Sequence, residues 1–358
     1  MYRKQPLNNQ TLYAELMEQV QILERFRGIG FVDGSFVGKE LEGQRYVYFQ
    51  YYDIKGKKQQ IYLGKSSDAL DVLVAKYQAD RKSFTPDMEN IDRLCSQLRA
   101  GGALITDHAS GKVIRRLAES GVFRLGGVLV GTHAFIVLGN LLGVYWEHQA
   151  IRTFDVDIAN GRKPSIEETQ LSLALPRLNA DIPAALESLK MGFFPVPGFN
   201  PKDPSIAFKV KGSELRVDVL TNQKGSSTAP IYIPRFKAGA QPLPFFDYLI
   251  EDPVTAVVIN GGGTLINVPN PARYAVHKLI VWGERPATSQ VKKDKDILQS
   301  YQLLTFLQEE RPGDIAVAMD AIAERGVRWK TRVKKGLAAL QKRYDLDLKF
   351  EQLEETSG

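Results

Sequence analysis

The chain has one cysteine, Cys95, among 358 residues. An internal disulfide framework is therefore excluded, and a reducing compartment is the natural setting. A lone cysteine is most often a buried small hydrophobe, and Cys95 is given no chemical role. Histidine is scarce too, with four residues in the chain. His108, His148 and His277 stand in no metal-binding spacing with any cysteine, so zinc is not indicated. There is no long apolar run. The most apolar stretch, Val128 to Val144, is interrupted by Gly131, Thr132, His133, Gly139 and Asn140, which makes it too short and broken to cross a bilayer. The polar first residues carry no apolar segment of the signal-peptide kind. These absences point to a cytoplasmic protein with no membrane partner. No Lys-Ser/Thr follows Gly261-Gly262-Gly263, so that triplet is expected to be a flexible turn rather than a phosphate loop.

What is present is ordinary for a globular chain, with 44% hydrophobic and 25% charged residues. The length suits two or three domains of roughly 100–200 residues each. A formal net charge of +6 favours an anionic partner, although it says nothing about fold. Helical spacing of Leu12, Leu16, Val20, Leu23 and Phe26 predicts a first helix, ended by Gly28 and Gly30. Strand-like runs over Gln44–Tyr52 and Gln59–Leu63, joined by a turn at Asp53–Lys57, predict a hairpin. A helix is expected from about Ser67 to Lys82, capped by Ser66 or Ser67, then a seam at Thr85-Pro86 and a further helix over Met88–Arg99. Beyond Gly101-Gly102 short strands alternate with helices: helix Ala109–Ser120, strand Val128–Val130, helix His133–Leu142, strand Thr153–Ile158, helix Pro183–Lys190 and strand Leu215–Leu220. After Pro269 and Pro271 the pattern is helical apart from breaks at Pro286 and Pro312. The mixed order argues for an α/β or α+β architecture.

Three short elements carry the chemistry. The first is Val128-Leu129-Val130-Gly131-Thr132-His133-Ala134, an apolar strand running into Gly-Thr and then a helix. Glycine there lets the backbone approach a phosphate, and the helix start offers unpaired N–H groups. The second is Phe154-Asp155-Val156-Asp157-Ile158. Residues two apart on a strand share a face, so Asp155 and Asp157 project together while Phe154, Val156 and Ile158 are expected to be buried on the other. The third is Leu215-Arg216-Val217-Asp218-Val219-Leu220, a hydrophobic strand with an acid at its centre. Such an acid is costly without a partner. Three close carboxylates repel one another unless cations neutralise them. Their hard oxygens suit Mg²⁺ or Mn²⁺, and two such ions can promote phosphoryl or nucleotidyl transfer.

This order of motifs resembles the nucleotidyltransferase fold shared with polymerase β. The phrase Thr153-Phe154-Asp155-Val156-Asp157-Ile158-Ala159 is similar to a family of bacterial nucleotidyltransferases close to the abortive-infection toxins. The resemblance runs over roughly residues 100–310, through Pro271–Leu279 and Lys293–Leu298, with Thr132 where serine is more usual. It implies an α+β architecture in which a mixed sheet flanked by helices forms a catalytic core at 87–268. A helix–β-hairpin–helix accessory module (1–86) would precede it, and a helical domain (269–358) would close the nucleotide cleft. By that resemblance Asp155, Asp157 and Asp218 hold two Mg²⁺ or Mn²⁺ ions, and Gly131 and Thr132 hold the β- and γ-phosphates of an NTP. Lys278, Arg285, Lys295 and Asp296 are further nucleotide-site residues, and Asp218 helps to deprotonate the acceptor hydroxyl. RNA, such as tRNA, is the favoured acceptor, a protein hydroxyl the other. A toxin or defence role rests on family analogy alone.

Two rivals stay open. A D-x-D glycosyltransferase predicts that Asp218 is dispensable and that sugar nucleotides bind in preference to NTPs. A catalytically inactive nucleic-acid-binding protein of the same fold predicts no turnover with any NTP. His133 could approach a nucleotide, but a satisfied structural histidine is the plainer reading. On the hairpin, Tyr46, Tyr48 and Tyr52 share a face, and Lys55, Lys57 and Lys58 crowd the turn. The segment looks like the small β-sheet arm that binds DNA in tyrosine recombinases, or it is an ordinary hairpin covering a helix. Arg325, Arg328, Lys330, Arg332, Lys334, Lys335, Lys342 and Arg343, with no acid in residues 325–344, suit either a solvated helix or an RNA or DNA backbone.

Overall fold

The computed structural model describes residues 2–25, 34–52, 57–151, 153–161, 180–198, 200, 203–344, 348, 350 and 353. The ends expected for the first helix (Phe26 to Gly30), most of the hairpin turn and nearly all of the polar tail lie outside these residues.

Helix α1 (Leu7–Arg25) starts just after Pro6, earlier than the apolar spacing implied, and buries Tyr13, Leu16, Val20 and Leu23. Helix α2 (Asp68–Ala100) is continuous, which corrects the expected seam at Thr85-Pro86. Its N-cap is Ser67, whose hydroxyl accepts from the Leu70 amide. Proline removes one intrahelical bond, here in a stretch exposed to water, while the apolar stripe from Tyr77 through Ile91, Leu94, Cys95 and Leu98 stays buried on both sides of it. That stripe outweighs the local break signal. The second half of α2 packs with α1 against the antiparallel hairpin β13 (Val254–Ile259) and β14 (Gly263–Val268). The Gly261–Gly263 turn is thus the simple connection expected. Cys95 is buried in this core, and burial pushes its thiol up to about 12, so it is inert.

The N-terminal hairpin is a three-stranded sheet, because β2 (Ser35–Leu41) adds to β3 (Gln44–Tyr52), which pairs in turn with β4 (Lys58–Lys65). Its inner face stacks Phe36 and Phe49 edge-on to Tyr77 of α2.

The central sheet is mixed. Its order is β11 (Ile231–Ile233), β12 (Ala238–Leu243), β10 (Arg216–Asn222), β7 (Asp155–Asn160) and β5 (Gly127–Val130), with β9 (Ala207–Val210) pairing β10 and β8 (Phe193–Pro195) pairing β9. Strands β7 and β10 run parallel, and β5 is antiparallel to β7. Helices α3 (His108–Glu119) and α4 (Gly131–Leu141) flank it. The architecture is α+β, as the sequence predicts. Phe154 is an exception to the expected burial: β7 starts at Asp155 rather than at Thr153, and Phe154 is 45% exposed.

Beyond the short helix α5 (His148–Ile151) and α6 (Ile182–Ser188) comes α7 (Phe246–Ile250), followed by the helical part of the chain. This comprises α8 (Pro271–Glu284), α9 (Gln290–Glu310), α10 (Pro312–Glu324) and α11 (Val327–Tyr344). Helices α8 and α11 approach closely at Gly336, where a Cβ would sit 2.3 Å from the Leu279 carbonyl oxygen. Helix α8 carries residues of the site described next. No helix among the described residues is long and apolar enough to cross a membrane.

Candidate active site

The parallel register sets Asp157 of β7 opposite Asp218 of β10, and Asp155 opposite Arg216. Because side chains alternate along a strand, these four form a square of charge on one face, while Val156, Ile158, Val217 and Val219 are fully buried on the other. On its far side Asp157 pairs with Val130, the last residue of β5. The next residue, Gly131, has φ +66° and begins α4. A Cβ there would fall 2.1 Å from Oδ2 of Asp157, so only glycine lets the strand turn into the helix beneath that carboxylate. Gly131 therefore sits beside Asp157, and Thr132 follows it in the first turn of α4.

The electrostatics follow. Burial first, then Asp218 and Asp155, push Asp157 up to about 7. Burial also raises Asp218, and Arg216 opposes this, donating from Nε to Oδ1 at 2.8 Å. No three His, Cys, Asp or Glu side chains among the described residues are gathered into a ready-made metal cage; Asp218 is turned toward Arg216 instead. The donor set nevertheless fits a divalent cation. It consists of hard oxygens whose like charges destabilise one another, next to a backbone shaped to admit them. A cation would have to draw Asp218 away from Arg216.

Helix α8 is tied to the glycine turn by Tyr274, whose hydroxyl lies 2.9 Å from the Gly131 carbonyl and 3.0 Å from Oε1 of Gln299. One turn later Lys278 donates to Asp296 at 2.7 Å, and Arg285 donates to the other carboxylate oxygen. Asp296 is nearly inaccessible, with 3% of its side chain exposed. Burial works to raise it, but Lys278 and Arg285 prevail and hold it below the usual carboxylate range. Two of the expected cations are thus held by the expected acid. Lys295 is half-buried, and burial together with Lys278 lowers it to about 8, against the pull of Asp296 first and then of Asp155 and Asp157. Lys292, on the same helix, also acts on Asp157 and Asp218.

Sequence reasoning passed over Arg216, Tyr274 and Gln299. Arg216 was legible as the residue two before Asp218 on its strand, and Tyr274 as the residue one turn before Lys278. Gln299 gave no signal. His133 is buried as a structural histidine should be, yet neither ring nitrogen has a hydrogen-bond partner. Burial lowers it to about 4. In the C-terminal basic run, Arg325 pairs with Glu251, Arg332 with Glu284 and Arg343 with Asp294. Acids from other elements therefore neutralise part of the positive charge.

Gly131→Ala has a definite expected outcome. The methyl group collides with Asp157, and the positive φ adds backbone strain of about 1–3 kcal/mol. Urea denaturation should show that loss of stability, and turnover should fall by more than about 10²-fold, since misplacement of this order can cost as much.

The site thus joins a strand–glycine–helix turn, paired acids and a third acid on the adjacent parallel strand within an α+β fold. Residues 108–324 match the family described as Nucleotidyltransferase. That span is more than half of the chain, and the protein belongs to this nucleotidyltransferase family. No curated protein and no solved structure matches it.

Proposed function

We propose that the protein transfers a nucleoside monophosphate from an NTP to an acceptor hydroxyl and releases pyrophosphate. The observation that carries this reading is the square of Asp155, Asp157, Arg216 and Asp218 beside the Gly131 turn. Asp155 and Asp157 are the residues to hold two Mg²⁺ or Mn²⁺ ions, and Asp218 shares one of them. Ions bound there supply Lewis acidity toward the attacking hydroxyl and offset charge on the leaving pyrophosphate.

The chain's own groups do the rest. Amides at the start of α4 and the Thr132 hydroxyl receive phosphate oxygens. Lys278, Arg285 and Lys295 balance the triphosphate charge, and Asp296 keeps the first two in place. Asp218, as the ionised carboxylate, accepts the proton of the acceptor hydroxyl as its oxygen bonds to the α-phosphorus. The bond from that phosphorus to the pyrophosphate oxygen breaks. Positioning and electrostatics carry most of the catalysis in such reactions.

Pyrophosphate release from each NTP, with Mg²⁺ or Mn²⁺, tests the proposal. Asp218→Asn should lower release by about 10²-fold or more. Unchanged release in that variant would remove Asp218 from the chemistry, whereas no release from any NTP together with nucleoside diphosphate release from a sugar nucleotide would instead support a D-x-D glycosyltransferase.

A further inference from the structure

The outer face of the N-terminal sheet is aromatic and basic. Phe36, Val47 and Phe49 already serve the contact with α2 on the inner face. On the outer face the register places Lys39 opposite Tyr46, and Tyr46 opposite Lys65. Tyr48 stands opposite Tyr62, with ring centroids 5.4 Å apart and planes tilted by 51°. Tyr62 is 54% exposed. The Lys39 ammonium sits 4.7 Å from the Tyr48 ring centroid and donates to Gln60, whose amide donates to Gln50. Among the described residues of these strands there is a single carboxylate, Glu40, and it pairs in register with Arg45 on the opposite face. The strand residues of the outer face therefore present tyrosine rings, ammonium groups and amides and no carboxylate, the exposed Glu42 standing in the turn between β2 and β3.

We propose that this face binds single-stranded RNA. Tilted, exposed rings offer π-faces to unpaired bases, and such stacking tolerates any sequence. Lys39 and Lys65 flank the rings where a backbone would pass, supplying the phosphate contacts. Gln50 and Gln60 add amides able to engage base edges and the 2′-hydroxyl that distinguishes RNA from DNA. A duplex buries its bases and cannot use the rings. The face would hold the strand whose terminal hydroxyl accepts the nucleotide; that acceptor role rests on the proposed nucleotidyl transfer, whereas the binding does not.

The test is fluorescence anisotropy of full-length protein with a labelled single-stranded RNA of about 12 nucleotides, at low and at raised salt. DNA of the same sequence and the RNA duplex are run alongside. The single-stranded RNA should bind tightest. Tyr48→Ala with Tyr62→Ala should weaken it by roughly tenfold or more, whereas Tyr48→Phe with Tyr62→Phe should retain it. Lys39→Gln with Lys65→Gln should flatten the salt dependence. Binding is read without NTP or divalent ion, so a failure of the chemistry and a failure of the surface give different results. Unchanged affinity in the alanine pair overturns the proposal, as does tighter binding of DNA or duplex. If the alanine pair does not fold, an unchanged salt slope in the glutamine pair overturns it equally.

Discussion

Asp157→Asn should abolish transfer and yet stabilise the metal-free protein. The loss of turnover is expected to reach roughly 10³-fold, because the residue sits at the centre of the site and metal-borne charge stabilisation is worth several kcal/mol. The gain in stability comes from removing a carboxylate that burial and its neighbours disfavour when ionised. Its folded value is raised from 3.8 to about 7, so the folded state holds the proton more tightly than the unfolded chain does. Stability of the metal-free wild type should then fall as pH rises between those values, and the penalty should be complete above the upper one. Asp218 shifts in the same direction, so the variant should lose part of the slope rather than all of it. Melting temperatures across that pH range, with and without Mg²⁺, check this: the ion should recover stability in the wild type and much less in Asp157→Asn.

Asp296→Ala should be the most destabilising substitution in the helical half. It removes the shared partner of Lys278 and Arg285 and leaves Lys278 part-buried and uncompensated. Breaking a buried pair from one side costs about 3–5 kcal/mol, readable as a drop in the urea midpoint. The wild-type contribution should persist above the usual carboxylate range and fade as pH falls through the lowered Asp296 value. A loss below about 1 kcal/mol, typical of an exposed pair, would show that the cluster is solvated and does not position Lys278.

The acids of the site were legible because strand periodicity is short and strict. Asp155 and Asp157, two apart between apolar residues, could only share a face, and Asp218 broke a hydrophobic run. What the sequence did not show was register. That Asp157 lies opposite Asp218, and Arg216 opposite Asp155, depends on the parallel pairing of strands some sixty residues apart. Phe154 was misplaced because the strand starts at Asp155 rather than at Thr153. Pro86 misled for the opposite reason: a local rule was overridden by an apolar stripe that holds α2 together on both sides. Strands β2 and β12 carry weak signals of their own. Gly38, Lys39 and Glu40 interrupt the first, and Gly239 and Pro242 the second; both exist through pairing with stronger neighbours. The glycine turn was clear in sequence, but its reason, the Asp157 carboxylate lying where a side chain would be, is purely spatial.

The most direct measurement is label transfer from each NTP carrying ³²P at the α-position into total RNA and total protein, with Mg²⁺ or Mn²⁺, beside Asp157→Asn. One or more NTPs should label the RNA fraction in the wild type, and the label should vanish in the variant. Absence of label above the variant's background with every NTP would contradict catalysis and leave a nucleic-acid-binding protein of this fold.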